Sequence, residues 1–289
     1  MLGFSESGKK RLSYGFWRYR EDQVDEAIAM IALARSSGID HFDTADVYGG
    51  ASGFGGAEKL LGAVRAKAPQ LLDGAVIATK AGCEPGSPYN SSPAYLKAAC
   101  EASLKRLGVP RIDLFYVHRP DLLTHPADVA GALDDLVTAG KIANVGVSNY
   151  SVAQVEALVR YLKAPIRAHQ IEFSAGYVAP LFDGTFDQAM KKKFAVAAWS
   201  PLARGGFGAD GPAALAKVRD VLTALAARYG TSPNAVAIAF LLAHPAPVTP
   251  ILGTTNPARL RECLDGLQLT LARRDWYDIV EAANGKAMP

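Results

Sequence analysis

The run Ala27-Ile28-Ala29-Met30-Ile31-Ala32-Leu33-Ala34-Arg35-Ser36-Ser37-Gly38-Ile39-Asp40-His41-Phe42-Asp43 carries two structural signals on either side of one glycine. Residues 27–37 have helical period, and Gly38 is the residue type that ends a helix through a left-handed turn. Asp22 or Asp25 is placed to cap the start. Ile39–Asp43 then reads as a short strand whose last residue is a carboxylate. A helix, a glycine stop and a short strand make up half of a repeating βα unit.

Working outward, the same alternation recurs along the chain. Strands are predicted at Arg11–Trp17, Ile39–Asp43, Ala75–Lys80, Ile112–His118, Ile142–Ser148, Ile166–Phe173, Phe194–Ser200 and Val248–Gly253. Helices between them fit Glu58–Ala68, Ala94–Leu107 behind Ser92-Pro93, Pro126–Ala139, Val152–Leu162 behind Ser151, Asp183–Lys192, Pro233–His244 and Pro257–Leu264. Eight units in 289 residues average about 36 residues each, close to what an α/β (β/α)8 TIM barrel needs. No Pro/Gly/Ser-rich linker divides the chain, so residues 1–289 are expected to form a single domain. Pro212–Tyr229 and Ala272–Ala283 exceed the eight units and are predicted as two extra helices outside the barrel.

Composition sets bounds. Hydrophobic residues are 49% of the chain and charged residues 20%, enough for a large core and a soluble surface. The formal charge of +3 and the single tight basic run Lys191-Lys192-Lys193 predict no nucleic-acid partner, because a phosphate surface needs a wider patch. Cys83, Cys100 and Cys263 are far apart without a CxxC, which fits a reducing, cytoplasmic setting. Residues 1–19 lack the apolar run of a signal peptide, and the longest apolar stretch, 234–243, is too short for a membrane helix.

In barrels of this kind chemistry sits at the carboxyl ends of the strands. Asp43 ends the second strand, Tyr48 follows in its loop, Lys80 ends the third and His118 ends the fourth. A phenol is a sluggish acid at neutral pH, and a lysine ammonium against it makes the proton easier to give. The four residues then divide a proton transfer among them, with Tyr48 as general acid to a carbonyl oxygen, Lys80 lowering its pKa, Asp43 holding Lys80, and His118 hydrogen-bonding the same oxygen. Nothing in the set calls for a metal. Taken singly, each has an ordinary structural explanation; their convergence on consecutive strand ends favours chemistry.

These residues carry a resemblance. Gly38-Ile39-Asp40-His41-Phe42-Asp43-Thr44-Ala45 with Tyr48-Gly49, then Lys80, His118-Arg119-Pro120-Asp121 and Gly146-Val147-Ser148-Asn149-Tyr150 together resemble the aldo-keto reductase family, in its bacterial short-loop form. The likeness runs from about Gly15 to the last helix. It implies NAD(P)H-dependent reduction of a small-molecule carbonyl by the Asp, Tyr, Lys, His tetrad, matched here by Asp43, Tyr48, Lys80 and His118.

The resemblance also implies a cofactor extended across the barrel mouth. Its carboxamide would meet Ser148, Asn149 and Gln170, and its nicotinamide would stack on Trp199. Further contacts would come from Gly15, Trp17, Asp43, Ser200, Pro201, Leu202, Gly206, Gly253, Thr254, Thr255, Arg259 and Glu262. By sequence alone Ser148-Asn149 could equally cap a helix, and Trp199 could be a core aromatic. The formal GxGxxG from Gly206 to Gly211 lacks a preceding strand and a downstream acid, so it is no dinucleotide fingerprint but a loop that could cover the pyrophosphate. At 253–259 hydroxyls, a helix start and Arg259 offer a 2′-phosphate site. Many relatives have a lysine where Gly253 stands, and Gln and Asn near Glu262 and Cys263; NADPH is expected, with NADH possible.

A short loop at 119–124 predicts an open pocket, lined by Trp17, Tyr48, Phe54, Tyr89 and Phe207, that would favour aromatic or small aliphatic aldehydes over highly charged sugars. Two rival functions remain: a barrel aldolase using Lys80 as a Schiff base, and a non-catalytic nicotinamide-binding subunit that senses redox state.

Overall fold

A computed structural model describes residues 2–6 and 9–289. Eight parallel strands follow one another in chain order around a closed barrel: β1 (Ser13–Gly15), β2 (His41–Asp43), β3 (Val76–Ala81), β4 (Leu114–Val117), β5 (Val145–Ser148), β6 (Ile166–Glu172), β7 (Ala195–Trp199) and β8 (Val248–Leu252). The described backbone groups into two compact units, Ser13–Gln170 with residues 2–3, and Ile171–Pro289 with residues 4–6 and 9–12.

In the first unit the strands alternate with helices α1 (Val24–Ser36), α2 (Gly56–Lys67), α3 (Pro93–Leu107), α4 (Pro126–Thr138) and α5 (Val152–Val159). All four residues of β4 are buried, as are all six of β3, the near-continuous apolar pattern of strands covered on both faces. The helices meet them with Leu60, Leu61 and Val64 of α2 and Leu96, Cys100 and Leu104 of α3. Each large side chain fully buried here stabilises the fold by about 1.5–3 kcal/mol. α3 begins and ends where expected: Ser92 accepts from the Tyr95 amide, Pro93 opens the first turn, and Gly108 closes it in the left-handed region. Ser151 and Gln154 form a reciprocal capping box on α5. α1 departs from expectation, since Gln23 and neither aspartate stands at its N-cap, with no side-chain cap.

Several strands are shorter than predicted, and β4 shows why. Ile112 still pairs with Ile142, but Asp113 after it turns its carboxylate to the Ile77 amide, and its carbonyl accepts from Asn144 Nδ2, so the regular ladder starts at Leu114.

The second unit holds β7, β8 and the helices α6 (Thr185–Lys192), α7 (Ala216–Tyr229), α8 (Pro233–Leu242), α9 (Pro257–Asp265) and α10 (Arg273–Asn284). Residues 235–242 of α8 are all buried, an apolar helix wrapped by α7, α9 and β8. The two extra helices are α7 and α10, and they pack on each other. Tyr229 at the end of α7 donates to Asp275 and accepts from the Ala272 amide, so one hydroxyl caps the start of α10. The three-lysine run closes α6, with Lys193 in a left-handed C-cap. Among the described residues no helix is long and apolar enough to cross a membrane.

Candidate active site

The local fold at the end of β2 explains how Tyr48 is presented. After Asp43 the backbone keeps bonding to β3, with the Thr44 amide on the Ala78 carbonyl and the Asp46 amide on the Lys80 carbonyl. It then turns, with the Tyr48 amide on the Ala45 carbonyl. Gly49 follows at φ 156° against the backbone of Gly53 and Gly56, where a Cβ would collide. The glycine lets the chain fold back beneath the tyrosine.

Lys80 is fully buried, and its ammonium donates to Asp43 Oδ1 at 2.7 Å and to the Thr44 carbonyl at 2.7 Å, with the Tyr48 side chain beside it. An ammonium has three donors, so two are spent on these oxygens. Its pKa is raised because the Asp43 and Tyr48 partners outweigh the burial that would lower it. Lys80 Nζ also lies 4.6 Å from the centroid of the Tyr48 ring, and the His118 ring meets that ring edge-on at 5.7 Å. The three tetrad side chains Tyr48, Lys80 and Asp43 are therefore contiguous, and His118 faces the phenol.

The tyrosine's pKa lies above its ordinary value, opposite in net direction to the sequence expectation. Burial raises it and Asp43 adds to the rise, while Lys80 and Arg119 pull it down without prevailing. Tyr48 thus keeps its proton at neutral pH. His118 is pushed well below the usual histidine range, first by burial and then by the charges of Lys80 and Arg119. It is a neutral imidazole, and its buried Nδ1 has no hydrogen-bond partner among the described residues.

Around this cluster the first unit places Ser148, Asn149 and Gln170. Ser151 caps α5, so Ser148-Asn149 do not serve as that helix's cap. Asn149 stands in the left-handed region at φ 59°, donates to Ser148 Oγ at 2.7 Å and to the His118 carbonyl at 3.3 Å, and its amide reaches the Gln170 carbonyl. Gln170 is buried and donates from Nε2 to Asp43 Oδ2 at 2.7 Å, a contact that sequence reasoning missed and that no local pattern signals. Gly15 pairs with Asp43 in the ladder, and Trp17 is exposed beneath the Arg18 guanidinium. A cavity of about 500 Å³ opens beside the Tyr48 loop, bordered by Val47, Phe54, Cys83, Glu84 and Ser87 among others. Of the expected aromatic lining Phe54 borders it, while Trp17 and Tyr89 stand exposed.

Two buried acids nearby also escaped the sequence reading. Glu58 on α2 accepts from Thr79 and from Arg106 Nε, each at 2.6 Å. Asp46 is fully buried, neither carboxylate oxygen has a satisfactory hydrogen-bond partner among the described residues, and burial beside Glu58 pushes its pKa up to about 8.

The remaining cofactor candidates belong to the second unit. Trp199 is half-buried with the Arg204 guanidinium 5.6 Å from its ring centroid, and Ser200 bends the chain away at φ 51° before Pro201 and Leu202. The glycine loop is packed on itself: Gly206 is buried against Leu215, and Arg219 donates to the carbonyls of Gly206 and Pro212. Past Gly253, the start of α9 is already capped, because Asn256 Oδ1 accepts from the amides of Ala258 and Arg259 while Thr254 Oγ1 accepts from the Asn256 amide. Thr255 and Arg259 are exposed there, and Glu262 is tied to Asn234 at 2.7 Å. An anion at this helix start would have to share amides with Asn256.

Comparison with known proteins agrees with the geometry. The model of the Aldo/keto reductase family matches residues 11–284. The chain is 39% identical over 292 residues to a 6-dehydroglucose reductase of Novosphingobium aromaticivorans, covering 100% of this chain and 96% of that protein. It is 30% identical to the oxidoreductase YdhF of Escherichia coli, over 96% of this chain and 95% of that one. An aldo/keto reductase from Klebsiella pneumoniae, solved with NADP and acetate, shares the fold at a TM-score of 0.80 and 22% identity, covering 100% of this chain and 95% of that one.

Proposed function

The chain belongs to the aldo/keto reductase family, and on that premise we propose that it reduces an aldehyde or ketone to the alcohol with NADPH, Tyr48 supplying the proton. The observation that carries this reading is the Tyr48–Lys80–Asp43 contact, buried and facing a neutral His118. When bound, the reduced nicotinamide supplies hydride to the carbonyl carbon. As the oxygen gains negative charge, Tyr48 gives up its proton, and the Lys80 ammonium offsets the phenolate that remains. His118 is neutral, and it hydrogen-bonds the substrate oxygen and points it at the phenol. Asp43 holds Lys80 in place as an ammonium.

Ser148, Asn149 and Gln170 present the amide and hydroxyl groups that a carboxamide needs, and Gly15 and Trp17 belong to the same unit. Trp199 through Leu202, Gly206, Gly253, Thr254, Thr255, Arg259 and Glu262 are assigned to the cofactor by resemblance. Arg259 and the threonines favour a phosphorylated ribose, with NADH use following from Gly253 in place of a lysine. We treat residues 1–289 as one functional domain, and three free cysteines suit a cytoplasmic enzyme.

The rival uses of the fold fare worse. A Schiff-base lysine must lose its proton, whereas Lys80 is paired with Asp43 and has a raised pKa. A redox sensor has no need of the complete tetrad. The name of the Novosphingobium relative makes a sugar-derived aldehyde the first substrate to try. The test is oxidation of NADPH and NADH against aldehydes, ketones, dicarbonyls and sugar aldehydes, with cofactor fluorescence quenching alongside. Turnover of at least one carbonyl is expected; quenching without turnover on any would favour the sensor.

A further inference from the structure

Gln170 does more than its place beside Ser148 and Asn149 would require. Its Nε2 donates to Asp43 Oδ2 at 2.7 Å, and the other oxygen of that carboxylate accepts from Lys80 at 2.7 Å. All three side chains are buried, with exposures of 2% for Gln170, 3% for Asp43 and 0% for Lys80. A carboxylate in such a setting needs partners for both oxygens, and these two contacts also fix its rotation. Gln170 is placed by its strand, at the register position opposite Ser148 on β5. One ladder further, Tyr116 on β4 pairs with Gly146 on β5, and its ring stands so near that a Cβ on Gly146 would come 2.5 Å from it.

We propose that Gln170 is a positioning residue of the proton relay, clamping Asp43 so that its free oxygen faces Lys80 and the ammonium stays against Tyr48. The inference rests on Tyr48 being the proton donor. Without the clamp, Asp43 carries a less balanced negative charge and draws Lys80 away from the phenol. Among the charged groups facing Tyr48, Asp43 raises its pKa whereas Lys80 and Arg119 lower it, so the phenol then holds its proton more tightly.

The experiment uses the full chain with Gln170→Met, which keeps shape and removes the donor, and Gln170→Glu, which keeps an acceptor oxygen and sets a second carboxyl against Asp43, adding negative charge there at the alkaline pH where the basic limb is read. Both are expected to lower kcat about tenfold, the size of one hydrogen bond to a charged group. Both should move the basic limb of the kcat pH profile to higher pH, read at NADPH concentrations that saturate each variant as judged by its own Kd from fluorescence quenching. A Kd raised tenfold or more in Gln170→Met but restored in Gln170→Glu, with the limb unmoved, would overturn the proposal in favour of a simple grip on the cofactor. A fall in kcat with an unmoved limb and a lowered melting temperature would overturn it in favour of mere packing. A wild-type basic limb that survives Tyr48→Phe would refute the donor assignment instead, and is read separately.

Discussion

Lys80 Nζ stands 4.6 Å from the centroid of the Tyr48 ring while donating to Asp43 Oδ1 at 2.7 Å, so one buried ammonium meets both the phenol ring and the carboxylate. Breaking a buried ion pair by removing one partner leaves the other uncompensated, at about 3–5 kcal/mol. Lys80→Met is expected to lose that much stability in denaturant unfolding as well as its activity. The double variant Lys80→Met/Asp43→Asn should recover part of the stability and none of the activity. Equal stability of single and double variants would contradict the pairing.

Asp46 gives a prediction of opposite sign. Its pKa rises to about 8 in the folded state from an ordinary carboxylate value near 4 unfolded, so between those limits the folded chain holds a proton that the unfolded chain has lost. Its contribution to stability therefore falls as pH rises from about 4 to about 8. Asp46→Asn removes the buried charge and is expected to be more stable than the parent by on the order of 2 kcal/mol at pH 8, with the gap closing toward pH 4. Urea unfolding at the two pH values decides it.

Three histidines act on the acid side. Burial is the leading cause that lowers His41, His118 and His244, the last to about 4. Each is neutral in the fold and able to protonate at about 6.5 when unfolded, so stability is full above that pH and is lost as pH falls below it. His244 Nδ1 accepts from the Ala246 amide, a bond that protonation would break. Melting temperature should fall steadily from pH 6.5 to 4 at constant ionic strength, and His244→Gln should shallow the slope. An unchanged slope in that variant would count against His244 as a contributor.

Gly146 is the glycine of the segment Gly146-Val147-Ser148-Asn149, and the Tyr116 ring explains it. Gly146→Ala is expected to cost about 1–3 kcal/mol by overpacking. Adding Tyr116→Leu should make the alanine far less costly, a non-additive pair in a double-mutant cycle. Additive costs would mean that the ring is not what the Cβ meets.

The barrel was legible because burial on both faces writes itself into short apolar strands such as Leu114–Val117, and because Ser92, Gly108 and Ser151 are local punctuation with local causes. Strand lengths were less legible: whether Asp113 bonds its own strand or the Ile77 amide depends on a neighbour 36 residues away. The cluster of Asp43, Tyr48, Lys80 and His118 could be read since its members lie at or just past the ends of successive strands. The Gln170 contact could not, because its partner Asp43 lies 127 residues off and any buried glutamine looks alike in sequence. The net pKa of Tyr48 was hidden for the same reason: Lys80 is visible as a motif residue, whereas the burial that outweighs it is a property of the assembled site. At the start of α9, Thr254 and Arg259 were conspicuous, and the Asn256 side chain that already holds two of the amides was not read as a competitor.

The proton's origin is tested most directly by Tyr48→Phe, assayed at saturating NADPH on whichever carbonyl the wild type turns over best, with NADPH Kd measured in parallel. The change removes one hydroxyl and leaves the ring against Lys80 and His118, so kcat is expected to fall by about 10²–10⁴-fold while Kd stays within about threefold. A variant that keeps kcat within a few-fold of the parent would contradict Tyr48 as the donor.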